Sequence, residues 1–201
     1  MKSVLISIQP KWCELIASGK KTVEVRKNRP RLKTPFKCYI YCTDGYVAPI
    51  SFLFSKGLRK TVIGEFVCDS IDEYRAEFCD FKYSDTLSKN CALNQILKVV
   101  GFDQDNQTLL YQFESSNETD NPDDCKLVIN SNVTFNEIRK YIGETFFDKP
   151  FYSWNISNLI MYDKPKELSE FFVESNQTFD YPPLTKLKRP PQSWCYVEAL
   201  E

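Results

Sequence analysis

The chain has 201 residues, 26 Lys plus Arg against 27 Asp plus Glu, eight Cys and no His. The length suits one domain, or a small domain carrying a large insertion. The 42% of hydrophobic residues is enough for a real core and excludes global disorder. A net charge of −1 argues against coating nucleic acid by bulk charge. The missing His removes Ser-His-Asp and Cys-His mechanisms, His-ligated metals and the usual neutral-pH base.

In chain order, Val4–Ile8 is apolar and β-branched and reads as a strand. Pro10 suits the first turn of a helix in which Trp12, Leu15 and Ile16 form a buried face, and Gly19 is its natural stop. Residues 22–27 alternate as a half-buried strand, with Val23 and Val25 pointing one way and Thr22, Glu24 and Arg26 the other. Phe36–Tyr41 and Thr61–Cys68 are further strands.

From residue 70 to 150 the sequence changes character. A helix is expected near Thr86–Val100, strands at Leu109–Phe113 and Lys126–Ile129, and a polar loop at Asn117–Asp124. Thr134 and Glu137 match a capping box, with Val133 and Ile138 as a hydrophobic staple and Gly143 as terminator. Phe151–Ile160 reads as a strand, Asp163–Phe172 as a short helix with Pro165 in its first turn, and Trp194–Val197 as a closing strand.

The cysteines, at 13, 38, 42, 68, 79, 91, 125 and 195, form no C-x-x-C pair. They read as reduced buried thiols of a cytoplasmic protein, with no metal site and no cofactor expected. The N-terminal apolar run is too short for a signal peptide, and no stretch approaches the roughly 18 apolar residues of a membrane span. Five N-x-[ST] matches, at Asn106, Asn117, Asn132, Asn155 and Asn176, are therefore read as chance.

Charge is strongly segregated. Residues 1–36 carry +7, residues 37–63 carry +3, residues 64–148 carry −10 and residues 149–201 carry −1. The average thus conceals a basic front end and an acidic middle. The basic run from Arg26 through Arg29 and Arg31 to Lys33 can follow a phosphate backbone or simply be a solvated loop; the same holds for Lys56, Arg59 and Lys60, and Lys186, Lys188 and Arg189 can add to that surface.

The most informative stretch is Ile8–Arg26. Gly19, Lys21, Glu24 and Arg26 fit G-x-K-x-x-E-x-R, behind Pro10, Trp12 and Ile16. Glu24 and Arg26 are two apart, so they share a strand face and can pair or converge on a ligand. This pattern resembles the signature of the ASCH domain. Ile63-Gly64, Tyr152-Ser-Trp154-Asn-Ile156 followed by Pro165, and Trp194–Val197 extend the likeness, so that residues 1–69 and 150–201 are covered. The resemblance is greatest to bacterial and phage members. It implies an α+β fold: a PUA-like mixed β-barrel of about five or six strands with flanking helices. Residues 1–201 then form a single domain, with 70–149 as an α-rich insertion.

The resemblance also implies binding of RNA, DNA or a modified nucleoside. Lys21, Glu24 and Arg26 would line the cleft, joined by Trp12 and Trp154, although core packing is the better reading of either tryptophan. Two other function classes stand beside it. One is a nucleoside or RNA hydrolase, with Glu24 as general base and Lys21 stabilising developing negative charge. Some members of the family deacylate a modified cytidine with a Lys, a Thr and a Glu; the Lys corresponds to Lys21, but this chain has Glu24 where that Thr lies. The other is a protein-interaction module acting through the acidic insertion, set against a merely solubilising surface. Nothing in the sequence fixes the oligomeric state.

Overall fold

A computed structural model of the chain describes residues 2–45, 57–78, 94–102, 109–113, 126–145, 148–174 and 183–199. They form ten strands and three α-helices. The chain divides into two compact units. Unit 1 holds residues 1–22, 32–69 and 156–201; unit 2 holds 23–31 and 70–155.

Unit 1 is built around β1 (Ser3–Ile8), whose six residues are all buried. Burial on both faces explains why this segment is a continuous apolar run rather than an alternating one. β1 pairs in parallel with β3 (Phe36–Cys42), Val4 opposite Cys38 and Ile8 opposite Cys42. On its other side it pairs antiparallel with β10 (Trp194–Ala199). β3 pairs antiparallel with the start of β4 (Thr61–Phe78), with an irregularity between Ile40 and Tyr41. β8 (Phe171–Glu174) pairs with β10 and with β9 (Leu184–Lys186). The core joins Leu5, Tyr39, Tyr41, Val62, Phe171 and Val197.

Helix α1 (Pro10–Ala17) begins with Pro in its first turn and buries Pro10, Cys13 and Ile16. Gly19 closes it at φ +72, a left-handed conformation that costs glycine little, and its N–H donates to the Ile16 carbonyl at 2.9 Å. The Lys21 N–H then donates to the Leu15 carbonyl at 3.0 Å. The chain is thereby folded back on the last turn of the helix.

Unit 2 holds β2 (Val23–Arg26), which pairs antiparallel with the start of β7 (Phe151–Lys166). The end of β4 pairs with β5 (Asn94–Phe102), and β5 with β6 (Leu109–Phe113). Helices α2 (Lys126–Ser131) and α3 (Phe135–Ile142) complete it. Leu127 and Val128 from α2, and Ile138 and Ile142 from α3, share a core with Val23, Val25, Tyr74 and Phe151.

The capping box forms as expected. Thr134 Oγ1 accepts from the Glu137 N–H at 3.2 Å, and Glu137 Oε2 accepts from the Thr134 N–H at 3.0 Å. Thr134→Ala is expected to lower stability by about 1 kcal/mol in urea unfolding, with no change in the denaturant slope.

Three expected elements are corrected. The helix near Thr86–Val100 is strand β5 over its described part. Lys126–Ile129 lies in helix α2 rather than a strand, because a helical turn buries Leu127 and Val128 together. Asp163–Phe172 is the end of β7, a 3-10 turn at Leu168–Glu170 and β8, not one helix. The loop expected at Asn117–Asp124 lies outside the described residues. The segment expected as an insertion therefore contributes strands and short helices together, within an architecture of mixed α+β character.

Candidate functional site

The motif Gly19-x-Lys21-x-x-Glu24-x-Arg26 straddles the two units, which change over between Thr22 and Val23. In unit 2, alternation along β2 sends Val23 and Val25 into the core. Glu24 and Arg26 take the other face, as expected, but that face is closed too: each residue is only 6% exposed. Arg26 Nη2 lies 3.1 Å from Glu24 Oε1, an ion pair removed from bulk water.

The register of β2 on β7 sets Trp154 opposite Glu24, Ser153 opposite Val25 and Tyr152 opposite Arg26. Trp154 is fully buried and Ser153 nearly so. Polar atoms are concentrated here: Glu24 Oε2, Arg26 Nε and Trp154 Nε1 are buried and make no hydrogen bond in the structure, although each side chain interacts elsewhere. A carboxylate beside a guanidinium presents an acceptor and a planar fork of donors, the complement of a planar polar ligand.

In unit 1, Lys21 is 2% exposed, and its ammonium lies 5.3 Å from the centroid of the Trp12 ring. Lys11 approaches the same ring at 4.2 Å. Of the face expected from Trp12, Leu15 and Ile16, only Ile16 is fully buried, together with Pro10 and Cys13, and Trp12 is half-buried. The structure thus groups Lys21 with Trp12, and Glu24 with Arg26 and Trp154, each set within its own unit.

Two further groups escaped the sequence reading. The Tyr162 hydroxyl donates to Glu65 Oε2 at 2.5 Å, and Lys37 Nζ lies 3.0 Å from Glu65 Oε1. Burial and the Glu65 carboxylate raise the Tyr162 phenol above its ordinary value. Glu65 and Tyr162 are far apart in sequence and carry no local signal of their pairing. In unit 2, Arg29 lies 5.9 Å from the Tyr152 ring centroid and Lys27 lies 5.4 Å from that of Tyr141. The basic residues were visible in the sequence; their aromatic neighbours, contributed from residues 141 and 152, were not.

No group of three or more Cys, Asp or Glu among the described residues is arranged to hold a metal ion. No helix among them is long and apolar enough to cross a membrane.

Comparison with known proteins gives three findings. The chain resembles the crystal structure of ASCH from Zymomonas mobilis at 16% identity and a TM-score of 0.49, over 98% of this chain and 87% of that one. It resembles a point mutant of the same protein at 17% identity and a TM-score of 0.46, over 98% of this chain and 91% of that one. A UDP-N-acetylenolpyruvoylglucosamine reductase of Blochmanniella pennsylvanica (strain BPEN) is 33% identical over 100 residues, 45% of this chain and 26% of that protein. The chain thus spans about a quarter of that relative's length. The family model of the ASCH domain matches residues 6–78, a stretch that includes Trp12, Lys21, Glu24 and Arg26.

Proposed function

We propose that this chain binds nucleic acid or a modified nucleoside, using Glu24 and Arg26 to read a planar polar ligand. The observation that carries this reading is the buried ion pair at 3.1 Å on β2. A buried pair is seldom retained for stability alone, since well-packed apolar residues of similar volume often serve as well or better. In this reading the Glu24 carboxylate accepts from an exocyclic amine, and the Arg26 guanidinium donates to a base edge or phosphate. Trp154, opposite Glu24 on β7, is a positioning residue, since a fully buried indole offers no face to stack on. Separately, in unit 1, Trp12 is half-buried with two ammonium groups near its ring, that of Lys21 among them, an arrangement that by itself suits contact with an aromatic or anionic group. The family match on residues 6–78 supports the same ligand class, and a cytoplasmic site of action fits it.

A thermal-shift panel of natural and modified nucleosides and nucleotides tests the reading. A ligand that binds only the folded state raises the Tm; at a hundred times Kd it contributes about 2.7 kcal/mol. The expected result is a rise with at least one nucleoside in the wild type and none in the double variant Glu24→Leu/Arg26→Met. Equal responses in the two proteins overturn the assignment. The same incubations, followed for product, report the hydrolytic alternative through Lys21 and Glu24. Turnover would reassign the site as an active site.

A further inference from the structure

Unit 2 carries most of a net-acidic stretch of sequence, −10 over residues 64–148, yet one edge of it is basic and aromatic. The segment that follows β2, Lys27-Asn-Arg29-Pro-Arg31, contains no acidic residue. Lys27 and Arg29 are exposed. Each is seated on a tyrosine from the other part of the unit: Lys27 at 5.4 Å from the Tyr141 ring centroid, Arg29 at 5.9 Å from that of Tyr152.

The placement follows from packing. The inner face of α3, Ile138 and Ile142, shares a core with Val23 and Val25 of β2, so the last turn of the helix is fixed against that strand. Tyr141 lies on the outer side of that turn and is 41% exposed. Arg139 and Lys140 precede it and are exposed as well. Tyr152 is half-buried, and its phenol is raised by burial and by the Glu73 carboxylate. Glu73 is itself met by Arg75 at 3.6 Å, which offsets the nearest negative charge.

We propose that the post-β2 segment and the last turn of α3 together form a binding surface for single-stranded nucleic acid, with Lys27 and Arg29 on phosphates and Tyr141 as a stacking platform. Alternating cations and aromatic faces are what an unpaired strand requires, since its backbone is a row of negative charges and its bases are π-faces open to stacking. A duplex keeps its bases stacked on one another and has no use for Tyr141. The inserted residues thereby acquire a role beyond solubility: they bring the aromatic group to the basic segment. The inference rests on the nucleic-acid reading above, but it concerns a different ligand feature, the chain of nucleotides rather than the single base.

The test is fluorescence anisotropy with labelled 10-nucleotide single strands, one RNA and one DNA, across a salt series, beside the nucleoside thermal shift. Wild-type protein is expected to bind at least one strand with a marked salt slope. Tyr141→Ala is expected to weaken that binding about tenfold and Tyr141→Phe to retain it. Lys27→Ala/Arg29→Ala is expected to flatten the salt slope by about 1 to 1.5, at roughly 0.7 per lost phosphate contact. Tyr141 is exposed, so its variants are expected to keep the wild-type Tm, and the Phe variant separates stacking from folding. Absence of wild-type binding to either strand overturns the surface. Unchanged affinity in Tyr141→Ala together with an unchanged slope in the double variant also overturns it, whatever the nucleosides do. Loss of the nucleoside response with these oligonucleotide results intact overturns only the Glu24–Arg26 reading.

Discussion

Replacing Glu24 alone by Leu is expected to cost about 3–5 kcal/mol of folding stability, because it leaves the Arg26 guanidinium buried without its carboxylate. Both residues are 6% exposed, so water cannot take the place of the lost partner without local opening. For a chain of this size the Tm is expected to fall by roughly 10 °C or more. Arg26→Leu is expected to behave alike, through a stranded carboxylate. The decisive protein is the double variant Glu24→Leu/Arg26→Met, which removes both charges while filling their volume. It is expected to recover most of the stability lost by either single variant, since the desolvation cost of both ions disappears with them. Urea unfolding of all four proteins closes a double-mutant cycle and gives the coupling directly. A double variant as unstable as the singles would make the pair a structural strut. A stable double variant that no longer responds to nucleosides would make it a recognition element.

Gly64→Ala is expected to destabilise unit 1 at the upper end of, or beyond, the roughly 1–3 kcal/mol typical of overpacking. An added Cβ would stand 2.5 Å from the Ile160 carbonyl oxygen, with Met161 Sδ at 3.2 Å and Met161 Cα at 3.3 Å. The Met161 thioether can swing aside, but the carbonyl oxygen belongs to the backbone of β7 and cannot. Glycine is needed here for space, not for an unusual φ, because β4 and β7 approach closely at this point. The expected signature is a lower urea midpoint with an unchanged slope. An unfolding free energy within about 0.5 kcal/mol of wild type would show that the strands separate easily at Gly64.

Much of this was legible before the structure. The apolar run of Val4–Ile8, the Pro10 start and Gly19 stop of α1, and the Thr134–Glu137 box each rest on a local rule, and local rules survive folding. What failed was decided at longer range. Leu127, Val128 and Ile129 have strand-forming character, but a helical turn presents Leu127 and Val128 to the core of unit 2 and leaves Ile129 59% exposed. Residues 163–166 looked like a helix start because of Pro165, yet β7 runs on to Lys166. For the site, period-two alternation correctly set Glu24 and Arg26 on one face. It could not reveal that this face is closed, with both residues 6% exposed, since what lies over a strand face is set by residues distant in sequence. The same distance hid the aromatic neighbours of Lys27 and Arg29.

The cysteines read at first as inert filling also make the protein its own probe of breathing. Cys13, Cys38, Cys42 and Cys68 are buried thiols outside any disulfide, and all four lie in unit 1. Cys195, in the same unit, is half-buried and has its thiol pushed up to about 11 by burial. In the closed state, then, an alkylating reagent at neutral pH meets almost no accessible thiolate in the described part of unit 1. Labelling of these positions, read peptide by peptide, becomes a clock for how often this unit opens. Cys13 on α1, Cys38 and Cys42 on β3 and Cys68 on β4 time the helix and two strands separately. A ligand that slows that clock can be recognised without knowing in advance what it is.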